Sequence, residues 1–369
     1  MLHAARQFQQ AARPRLPPPW LYLSCVSRLL PRYHAATAFD TYCSPRPFTS
    51  TAAMPSAASP GAYTPPTSSA DITSFTHHLA ASSRILVLCG AGLSAASGLP
   101  TFRGAGGYWR THSAMELATY DAFTTSPDLV WQFYNYRRHM ALRAVPNGAH
   151  YALAELARKK GRGCLTITQN VDGLSQRAGH PASRLELLHG GLFDIKCSGF
   201  DCGYEQQDVR TDPIVPALEI KDGDGDISSA QIPLREIAER DLPHCPRCKT
   251  GLLRPGVVWF GEALPEATLD RVENYMLEGP IDLIIVVGTS ATVYPAAGYI
   301  EKARARGARV AVFNTEAPER DGGSGLRRGD WFFMGDAGVE MPRAFEGVIG
   351  SPESYPREED SNRGANLRT

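Results

Sequence analysis

Two pairs of cysteines have the spacing of a metal site. Cys197 and Cys202 have four residues between them, and Cys245 and Cys248 have two. Thiolates spaced in this way can converge on one tetrahedral Zn²⁺, although the first gap is wider than usual. Because the protein would fill all four positions, we expect the ion to be structural and not catalytic. Cysteines paired by chance are the alternative. The other cysteines lack partners at ligand spacing and are assigned to the N-terminal tail or the core: Cys25, Cys43, Cys89 and Cys164.

A glycine-rich turn follows the first long apolar run. Residues 90–95 read Gly-Ala-Gly-Leu-Ser-Ala, which satisfies the G-x-G-x-x-A pattern of dinucleotide-binding turns. Glycines there let the backbone approach a pyrophosphate, and a following helix offers free N–H groups to its charge. A dehydrogenase would also need an acidic residue about 20 positions further on. No Asp or Glu occurs between Arg84 and Glu116, so the turn predicts a nucleotide site and disfavours hydride transfer.

Small and polar residues follow two later apolar runs. Gly288, Thr289 and Ser290 come directly after one run, and Asn314 and Glu316 end the next. Open sheets bind ligands at the carboxyl ends of their strands, so these hydroxyl groups can contact phosphate oxygens. Glu316 can supply the ribose-binding carboxylate that is missing after the glycine turn. Ordinary loop chemistry is the alternative for each residue singly, but together they favour NAD.

His189 ends a further apolar run, directly before Gly190 and Gly191. An unperturbed imidazole has a pKa of about 6.5, which suits proton transfer at neutral pH. A single histidine is more often structural than catalytic, so the pattern alone leaves both interpretations open.

Tyr134 and Arg137 are three positions apart in a segment with helical periodicity. On an α-helix they stand about 60° apart and can point into one pocket. The guanidinium is a fork of donors that matches a carboxylate, and the tyrosine hydroxyl can add another hydrogen bond. The alternative is an exposed helix with a surface arginine, as we expect of the neighbouring Arg138. Spacing by itself favours the exposed helix.

Apolar runs of strand length alternate with helical patterns along the chain. Strands are predicted at residues 84–89, 164–168, 185–188, 281–287 and 309–313, and helices at 126–143, 150–160 and about 71–82, where Asp71 could cap the helix. Runs that are apolar throughout predict strands buried on both faces, hence an α/β fold with a Rossmann-like, mostly parallel sheet. The paired cysteines fall between the third and fourth runs, so they belong to a small inserted domain.

Length and composition fit a folded protein with appendages. The chain has 369 residues, of which 43% are hydrophobic and 21% charged, and no apolar run approaches the roughly 18 residues that span a bilayer. Acidic residues outnumber basic ones beyond residue 70, which argues against nucleic acid as a partner.

The first 70 residues differ from the rest. They contain six Arg and one Asp but no Lys or Glu, together with many Pro, Ala, Ser and Thr. An Arg-rich, acid-poor leader predicts a mitochondrial transit peptide, with a merely disordered tail as the alternative. A form that starts at Met54 would lack this targeting signal and remain in the cytosol or nucleus. We expect residues 351–369 to be a disordered tail.

The glycine turn continues as Ser-Gly-Leu-Pro-Thr-Phe-Arg-Gly at residues 97–104, and here the chain resembles the sirtuins, the NAD-dependent protein lysine deacylases. Further matching segments follow at residues 169–172, 188–190, 257–262, 288–290 and 314–316, with the cysteine pairs in between. The resemblance covers residues 71–350. It implies a large NAD-binding domain, a zinc domain inserted at about 190–256, and an acyl-lysine tunnel between them.

The resemblance also implies roles for the motif residues. His189 would be the general base that activates a ribose hydroxyl after nicotinamide leaves. Asn170 and Asp172 would orient the ribose and the leaving ring, and Phe102 and Arg103 would guard the same pocket. The residues expected to contact NAD are Gly90, Ala91, Gly92, Ser94, Ala95, Thr101, Phe102, Arg103, Trp109, Gln169, Asn170, Asp172, Gly288, Thr289, Ser290, Asn314, Thr315, Glu316 and Ala337.

The resemblance reverses the interpretation of Tyr134 and Arg137. With residues 104–109 upstream and the small Ala114 between, they resemble the same pair in class III sirtuins, which remove succinyl, malonyl and glutaryl groups. In sirtuins the acyl oxygen of a modified lysine attacks NAD, and the products are free lysine, nicotinamide and acyl-ADP-ribose.

Val258, Gly261 and Glu262 lie on the segment that pairs with the substrate peptide in sirtuins, which implies recognition through the main chain. Gly256 replaces a bulkier residue just before this segment and could alter substrate fit.

We therefore expect a mitochondrial, zinc-containing, NAD-consuming deacylase that acts as a monomer on acyl-lysine proteins and prefers negatively charged acyl groups. An NAD-dependent deacetylase is the enzymatic alternative. A catalytically silent NAD or ADP-ribose sensor is the alternative of another class. Neither nucleic acid nor a membrane is expected as a partner.

Overall fold

A parallel β-sheet, six-stranded when counted over the described residues, forms the centre of the fold. The computed structural model describes residues 69–101, 107–221, 223–290, 293–317, 326–351 and 355. The expected leader lies outside these ranges except for residues 69 and 70, and the expected tail lies outside them except for 351 and 355.

The elements follow one another in a largely alternating order. The described strands are β1 Ile85–Cys89, β2 Tyr108–Trp109, β3 His112–Ser113, β4 Cys164–Thr168, β5 Leu185–Leu187, β6 Gly190–Cys197, β7 Glu205–Gln206, β8 Leu253–Val257, β9 Leu283–Val287, β10 Arg309–Asn314 and β11 Trp331–Met334. The described helices are α1 Ser69–Ala81, α2 Gly92–Ala95, α3 Ala114–Leu117, α4 Tyr120–Thr125, α5 Pro127–Arg143, α6 Gly148–Lys160, α7 Leu174–Arg177, α8 Glu266–Leu277, α9 Gly298–Ala305 and α10 Ala337–Ile349.

The central sheet has the strand order β11-β10-β9-β1-β4-β5. All of its neighbouring strands run parallel, and Ile85 of β1 pairs with Cys164 of β4 on one side and with Leu283 of β9 on the other. The chain builds the sheet outward from β1 in one direction and then from β9 in the other. The order therefore reverses between β1 and β9, where open sheets of this kind bind ligands.

Helices cover both faces of this sheet. On one face α1, α6 and α10 pack over Val87 and Ile285, and on the other α8 and α9 pack over Leu86 and Ile284. All four side chains are fully buried. Successive side chains of a strand point to opposite faces, so strands that meet water on neither face are apolar throughout. The predicted α/β class with a mostly parallel sheet is confirmed.

Most predicted elements are present within two residues of their expected ends. Several described elements have no prediction, among them α8, α9, α10 and β11, the last of which is a run of only four residues between turn residues. Asp71 does not cap its helix, since α1 begins at Ser69 and places Asp71 in its first turn. Among the described helices, none combines the length and apolarity that crossing a bilayer requires.

A small antiparallel sheet with the order β7-β6-β8 lies between β5 and β9 in the chain. Gly190 at the start of β6 pairs with Val257 at the end of β8, and Cys197 at the other end of β6 pairs with Leu253. The paired cysteines thus lie near the Cys197 end of this sheet. The connections to the large sheet are at the opposite end, near Gly190 and Val257. The predicted insertion of a small domain between the third and fourth strands matches this connectivity.

Buried polar side chains of α5 attach this helix to the small domain. Trp131 Nε1 donates to the carbonyl oxygen of Leu253 at 2.8 Å, and Asn135 Nδ2 donates to the carbonyl oxygen of Leu218 at 2.8 Å. Both side chains are at most 2% exposed. Main-chain carbonyls inside a protein need such donors, because an unpaired buried acceptor is costly.

Arg138 is the third such side chain, and the expectation that it lies on the surface is wrong. It is fully buried, and its guanidinium donates to the carbonyl oxygens of Leu192 (2.9 Å), Val209 (2.6 Å) and Thr211 (3.1 Å). Burial lowers the pKa of Arg138 to about 10, so it remains charged at neutral pH. The helix turns this position toward the irregular part of β6 at Leu192 and toward Val209 and Thr211, which lie outside the strands.

Replacing Arg138 by Met should destabilise the protein. Arg138→Met leaves the buried Leu192 carbonyl oxygen and the less buried carbonyl oxygens of Val209 and Thr211 without this donor, so we expect the free energy of unfolding to fall by about 2–4 kcal/mol. Urea-induced unfolding followed by circular dichroism measures the change. Arg143→Met on the exposed end of the same helix is the control and should stay within about 0.5 kcal/mol of wild type. Equal stability of the two variants would contradict the structural role of Arg138.

Candidate active site

Two glycine turns touch where the strand order reverses. The turn after β1 contains Gly90 and Gly92, and the Gly92 N–H donates to the carbonyl oxygen of Gly288, directly after β9, at 2.8 Å. A Cβ on Gly90 would lie 2.6 Å from the Thr289 Cβ, and a Cβ on Gly92 would lie 2.7 Å from the Gly288 Cα. Gly288 has a φ of +57°, which favours glycine. Contact between the two turns therefore requires these glycines, and the helix that follows, α2, is only four residues long.

Gln169 joins the end of β4 to this contact. Its main-chain N–H donates to the Cys89 carbonyl oxygen at 3.0 Å, and its Nε2 donates to Thr289 Oγ1 at 3.3 Å. The carboxyl ends of β1, β4 and β9 thus meet at one crevice.

The end of β10 contributes the residues predicted to hold a ribose. Asn314 is partly buried, and its Oδ1 accepts the Thr315 main-chain N–H at 3.0 Å. Thr315, Glu316 and Ser290 are exposed. Because β10 lies beside β9, these residues occupy the same edge of the sheet as the glycine turns.

Ser94 is the centre of a hydrogen-bond network beside the crevice. Its hydroxyl donates to Asp172 Oδ2 at 2.6 Å and accepts from Asn170 Nδ2 at 3.2 Å. His150 Nε2 lies 3.4 Å from the same oxygen. His150 Nδ1 accepts the Asn147 N–H, so the neutral ring carries its proton on Nε2 and can donate to Ser94. Burial lowers the pKa of His150 to about 3, which keeps the ring neutral. Asn170 and Asp172 are therefore held in fixed orientations.

Asp172 is a partly buried carboxylate that interacts with two cations. Its Oδ1 accepts the Leu174 N–H at 2.9 Å. Burial raises its pKa, while the hydrogen bonds from Ser94 and Leu174 and the charges of Arg137 and Arg177 oppose the rise. Arg137 thus lies within electrostatic reach of the network around Ser94.

His189 has a defined tautomer. Its Nδ1 lies 3.0 Å from the Gln169 carbonyl oxygen, which can only accept, so Nδ1 carries the proton and Nε2 keeps a free lone pair. Burial lowers the pKa of His189 below its ordinary value, and the hydrogen bond to Gln169 opposes this shift. The Val258 N–H donates to the His189 carbonyl oxygen at 2.9 Å. The neutral imidazole is therefore a base at physiological pH, joined directly to the segment after β8.

Tyr134 and Arg137 interact with each other on α5, and Arg137 also interacts with Asp172. Burial lowers the pKa of Arg137, and its interactions with Tyr134, Tyr136 and Asp172 oppose this shift. The guanidinium carbon lies 5.3 Å from the centroid of the Phe133 ring. Tyr134 is 3% exposed. A buried phenol and a partly buried cation are thus paired on one helix, with the cation within electrostatic reach of Asp172.

The segment after β8 is fixed by its own acidic residue. Glu262 Oε2 accepts from Arg254 Nη2 and from the Trp259 main-chain N–H, both at 2.8 Å. Gly261 has a φ of +88°, which turns the chain between Trp259 and Glu262. The carboxylate of Glu262 is therefore engaged within the chain and holds the segment in shape.

Some predicted site residues lie elsewhere. Trp109 is 3% exposed and packs its ring against Phe133, with 5.7 Å between the centroids. Ala114 begins α3 and lies in the same hydrophobic cluster as Trp109 and Tyr134. Ala337 begins α10 and lies in the core beneath the sheet. Phe102 and Arg103 are outside the described residues.

Gly256 has a packing role. A Cβ at this position would lie 2.5 Å from the Cβ of Asp194 on the neighbouring strand β6. The glycine is thus required by the close approach of β6 and β8, and the expectation that it shapes the substrate site has no support in this contact.

The four paired cysteines converge at the end of the small sheet. Their Sγ atoms all lie within 4.8 Å of one another, with 3.7 Å between Cys197 and Cys248 and 3.5 Å between Cys202 and Cys245. Zinc–sulfur bonds of about 2.3 Å at tetrahedral angles place sulfurs about 3.8 Å apart, so these residues fit the ion. The Gly251 N–H and other hydrogen bonds lower the pKa of Cys248 to about 6, which favours the thiolate that zinc binds.

Comparison with known proteins identifies the fold. The Sir2 family model matches residues 90–295. The chain belongs to the Sir2 family. It is 46% identical over 299 residues to an NAD-dependent protein deacylase of Candida albicans, covering 75% of this chain and 97% of that protein. It is 42% identical over 283 residues to a mitochondrial NAD-dependent protein deacylase, sirtuin-5, of Danio rerio, covering 75% and 87%. A crystal structure of a Sir2 homologue in complex with NAD has a TM-score of 0.60 at 36% identity, covering 74% of this chain and 92% of that one.

Three residues at this site are not predicted by the sequence pattern, and only one of them, Arg254, carries a local signal. His150 lies at the start of a predicted helix, and nothing in its neighbours indicates Ser94 as a partner 56 positions away. Trp259 lies inside a matched segment, but its spacing suggests no chemistry. Arg254 is a charged residue in the mostly buried strand β8, where it is 3% exposed, and a charge in such a strand indicates a specific partner.

Removing one cysteine of the Sir2 small domain should release its metal. Cys248→Ser leaves three thiolates and weakens a site that needs four ligands, so we expect zinc content to fall from one ion per chain to a small fraction. Elemental analysis of the purified protein measures it. Cys164→Ala, in the core strand β4, is the control and should keep its zinc. Full zinc content in Cys248→Ser would show that the cluster is not the metal site.

Proposed function

We propose that this protein is a mitochondrial NAD-dependent protein lysine deacylase that removes acyl groups ending in a carboxylate, namely succinyl, malonyl and glutaryl groups. The observation that carries the proposal is the pairing of Arg137 with the phenol of Tyr134 on α5, with Arg137 also within electrostatic reach of Asp172. The deacylase names of relatives at 46% and 42% identity support the reaction. The mitochondrial relative and the Arg-rich first 70 residues support the location.

An acidic acyl chain suits Arg137 in charge and in shape. Removing a cation from water is costly unless an anion approaches it with good geometry. A carboxylate can accept two parallel hydrogen bonds from a guanidinium, and the Tyr134 hydroxyl adds a third donor. Burial raises the pKa of Tyr134, so the phenol stays protonated at physiological pH. An acetyl group offers Arg137 no charge, which favours the acidic acyl groups.

NAD would lie along the crevice at the strand ends. The turns at Gly90 and Gly288 bring main chain close to its phosphates, and Glu316 would hold a ribose. Asn170 and Asp172, held by Ser94, would orient the nicotinamide end near Arg137. When bound, NAD supplies the anomeric carbon that the acyl oxygen attacks and nicotinamide as the leaving group.

His189 would be the general base. The hydrogen bond from Nδ1 to Gln169 fixes the ring, so a proton from a ribose hydroxyl is accepted at Nε2. The charged ring that results keeps its bond to the Gln169 carbonyl. The base also lies next to the segment after β8 that would bind the substrate peptide, because the His189 carbonyl oxygen accepts from the Val258 N–H.

Zinc would be held by the four paired cysteines and would have a structural role. Thiolates fill every position of a tetrahedral ion, so none remains for a substrate. The ion would tie the end of β6 to the turn before β8. It would thereby stabilise the two strands that lead to His189 and Val258.

The rate should depend on pH through His189. Its pKa is lowered by burial, so the base is neutral at pH 7 and becomes protonated only below its ordinary pKa of about 6.5. We expect kcat/KM for a succinyl-lysine peptide to be level at neutral pH and to fall on acidification, with a midpoint below 6.5. Nicotinamide release measured between pH 5 and 8.5 tests this. An acid midpoint above pH 7 would contradict a neutral, desolvated base.

Arg137→Met should abolish the acidic-acyl preference. Losing the charge partner of a buried carboxylate costs about 2–5 kcal/mol, which is a fall of about 30- to 5,000-fold in kcat/KM for a succinyl-lysine peptide. Turnover of an acetyl-lysine peptide should fall far less. Mass spectrometry of the peptide products with and without NAD measures both rates, and Arg143→Met on the same helix is the control.

Two outcomes would overturn the proposal. Succinyl turnover that survives Arg137→Met would remove Arg137 from the acyl site. A wild-type protein that releases no nicotinamide with any acyl peptide would be a binding protein and not an enzyme.

A further inference from the structure

The Tyr134 hydroxyl is already engaged on one side. Trp259 Nε1 lies 2.8 Å from the Tyr134 hydroxyl oxygen. An indole N–H can only donate, so the phenol oxygen is the acceptor in this bond. The two side chains are 3% and 1% exposed, so water does not compete for the bond.

Trp259 is itself fixed in place. The guanidinium carbon of Arg254 lies 3.4 Å from the centroid of the indole ring, and Phe123 packs at a centroid distance of 5.3 Å. Arg254 is in turn held by Glu262 and by the Val257 carbonyl oxygen, at 2.8 Å and 2.9 Å. The indole N–H therefore points at Tyr134 without freedom to turn.

This bond decides how Tyr134 can act. With the oxygen accepting from Trp259, the hydroxyl hydrogen must point elsewhere, and no described residue accepts it. Burial raises the pKa of Tyr134, so the hydrogen stays on the phenol. A hydroxyl in this state can donate a hydrogen bond to the carboxylate of an acidic acyl group. The methyl group that ends an acetyl chain cannot accept such a bond.

We infer that Trp259 is a positioning residue for acyl selectivity, which fixes the Tyr134 hydroxyl as a hydrogen-bond donor to the carboxylate of the acyl group. The inference rests on the proposed function. Trp259 acts through Tyr134 and does not touch the acyl group. Arg254 and Glu262 hold the indole, so Glu262 serves the acyl end of the site through Trp259.

The experiment compares Trp259→Phe with a matched variant, Trp131→Phe. Trp131 is equally buried, and its indole N–H donates to the Leu253 carbonyl oxygen at 2.8 Å, so both variants lose one buried hydrogen bond. We expect Trp259→Phe to lower the ratio of succinyl to acetyl kcat/KM by about 10- to 100-fold, the worth of a charge-assisted hydrogen bond, mostly through a higher KM for the succinyl peptide. Trp131→Phe keeps the bonds of Asn135 and Arg138 that hold α5 against the small domain, so it should leave the ratio within about twofold of wild type.

A double variant separates positioning from general structure. If Trp259 acts through Tyr134, adding Trp259→Phe to Tyr134→Phe should lower the ratio no further. Full additivity, an unchanged ratio in Trp259→Phe, or equal losses with Trp131→Phe would overturn the inference. Failure of the wild type to remove succinyl groups would instead overturn the proposed function.

A second measurement needs no variant of Trp259 to fold. In the wild-type protein with NAD absent, the indole N–H resonance of Trp259 should shift when a succinyl-lysine peptide binds, because hydrogen bonds in a chain polarise one another. The Trp131 resonance should not shift, and an acetyl-lysine peptide should move neither. A Trp259 resonance that responds equally to both peptides would overturn the inference.

Discussion

Side chains of α5 that donate to main-chain carbonyls of the small domain fix the geometry on which the site depends. Trp131, Asn135 and Arg138 each make such a bond from a buried position. The same helix carries Tyr134 and Arg137, so these bonds together determine where the proposed site would meet the acyl end of a substrate. Buried donors cannot exchange their partners for water without cost. The helix therefore has one stable position against the small domain.

The nucleotide end of the site depends on a different constraint, the contact between glycine turns at the reversal of strand order. That contact brings the ends of β1, β4 and β9 together, and Gln169 binds across it. The two ends are joined at His189, whose ring is held by Gln169 and whose carbonyl oxygen accepts from Val258. A base shared in this way can serve a reaction between a nucleotide on the large sheet and a lysine held by the small domain.

Much of this arrangement could be predicted from local pattern. Strands buried on both faces are mostly apolar, so β1, β4, β9 and β10 can be recognised in the sequence. Thiolates at short spacing are typical ligands of structural zinc, so the four cysteines can be recognised in the sequence as well. A short element such as β11 offers too few residues for its periodicity to predict a strand. At Arg138 the local pattern predicts the wrong exposure, because charged residues are mostly exposed and this one is buried.

The sequence by itself determined the fold class, the zinc ligands and the strand ends at which NAD would bind, because each follows from residue types at fixed spacing. Only the tertiary structure decided which polar side chains are buried and what they bind. Arg138 binds carbonyls more than 50 positions away, and Trp259 meets Tyr134 across 125 positions. The physical reason is that a carbonyl or a hydroxyl is available at almost every residue, so the partner of a buried donor is chosen by packing and not by spacing.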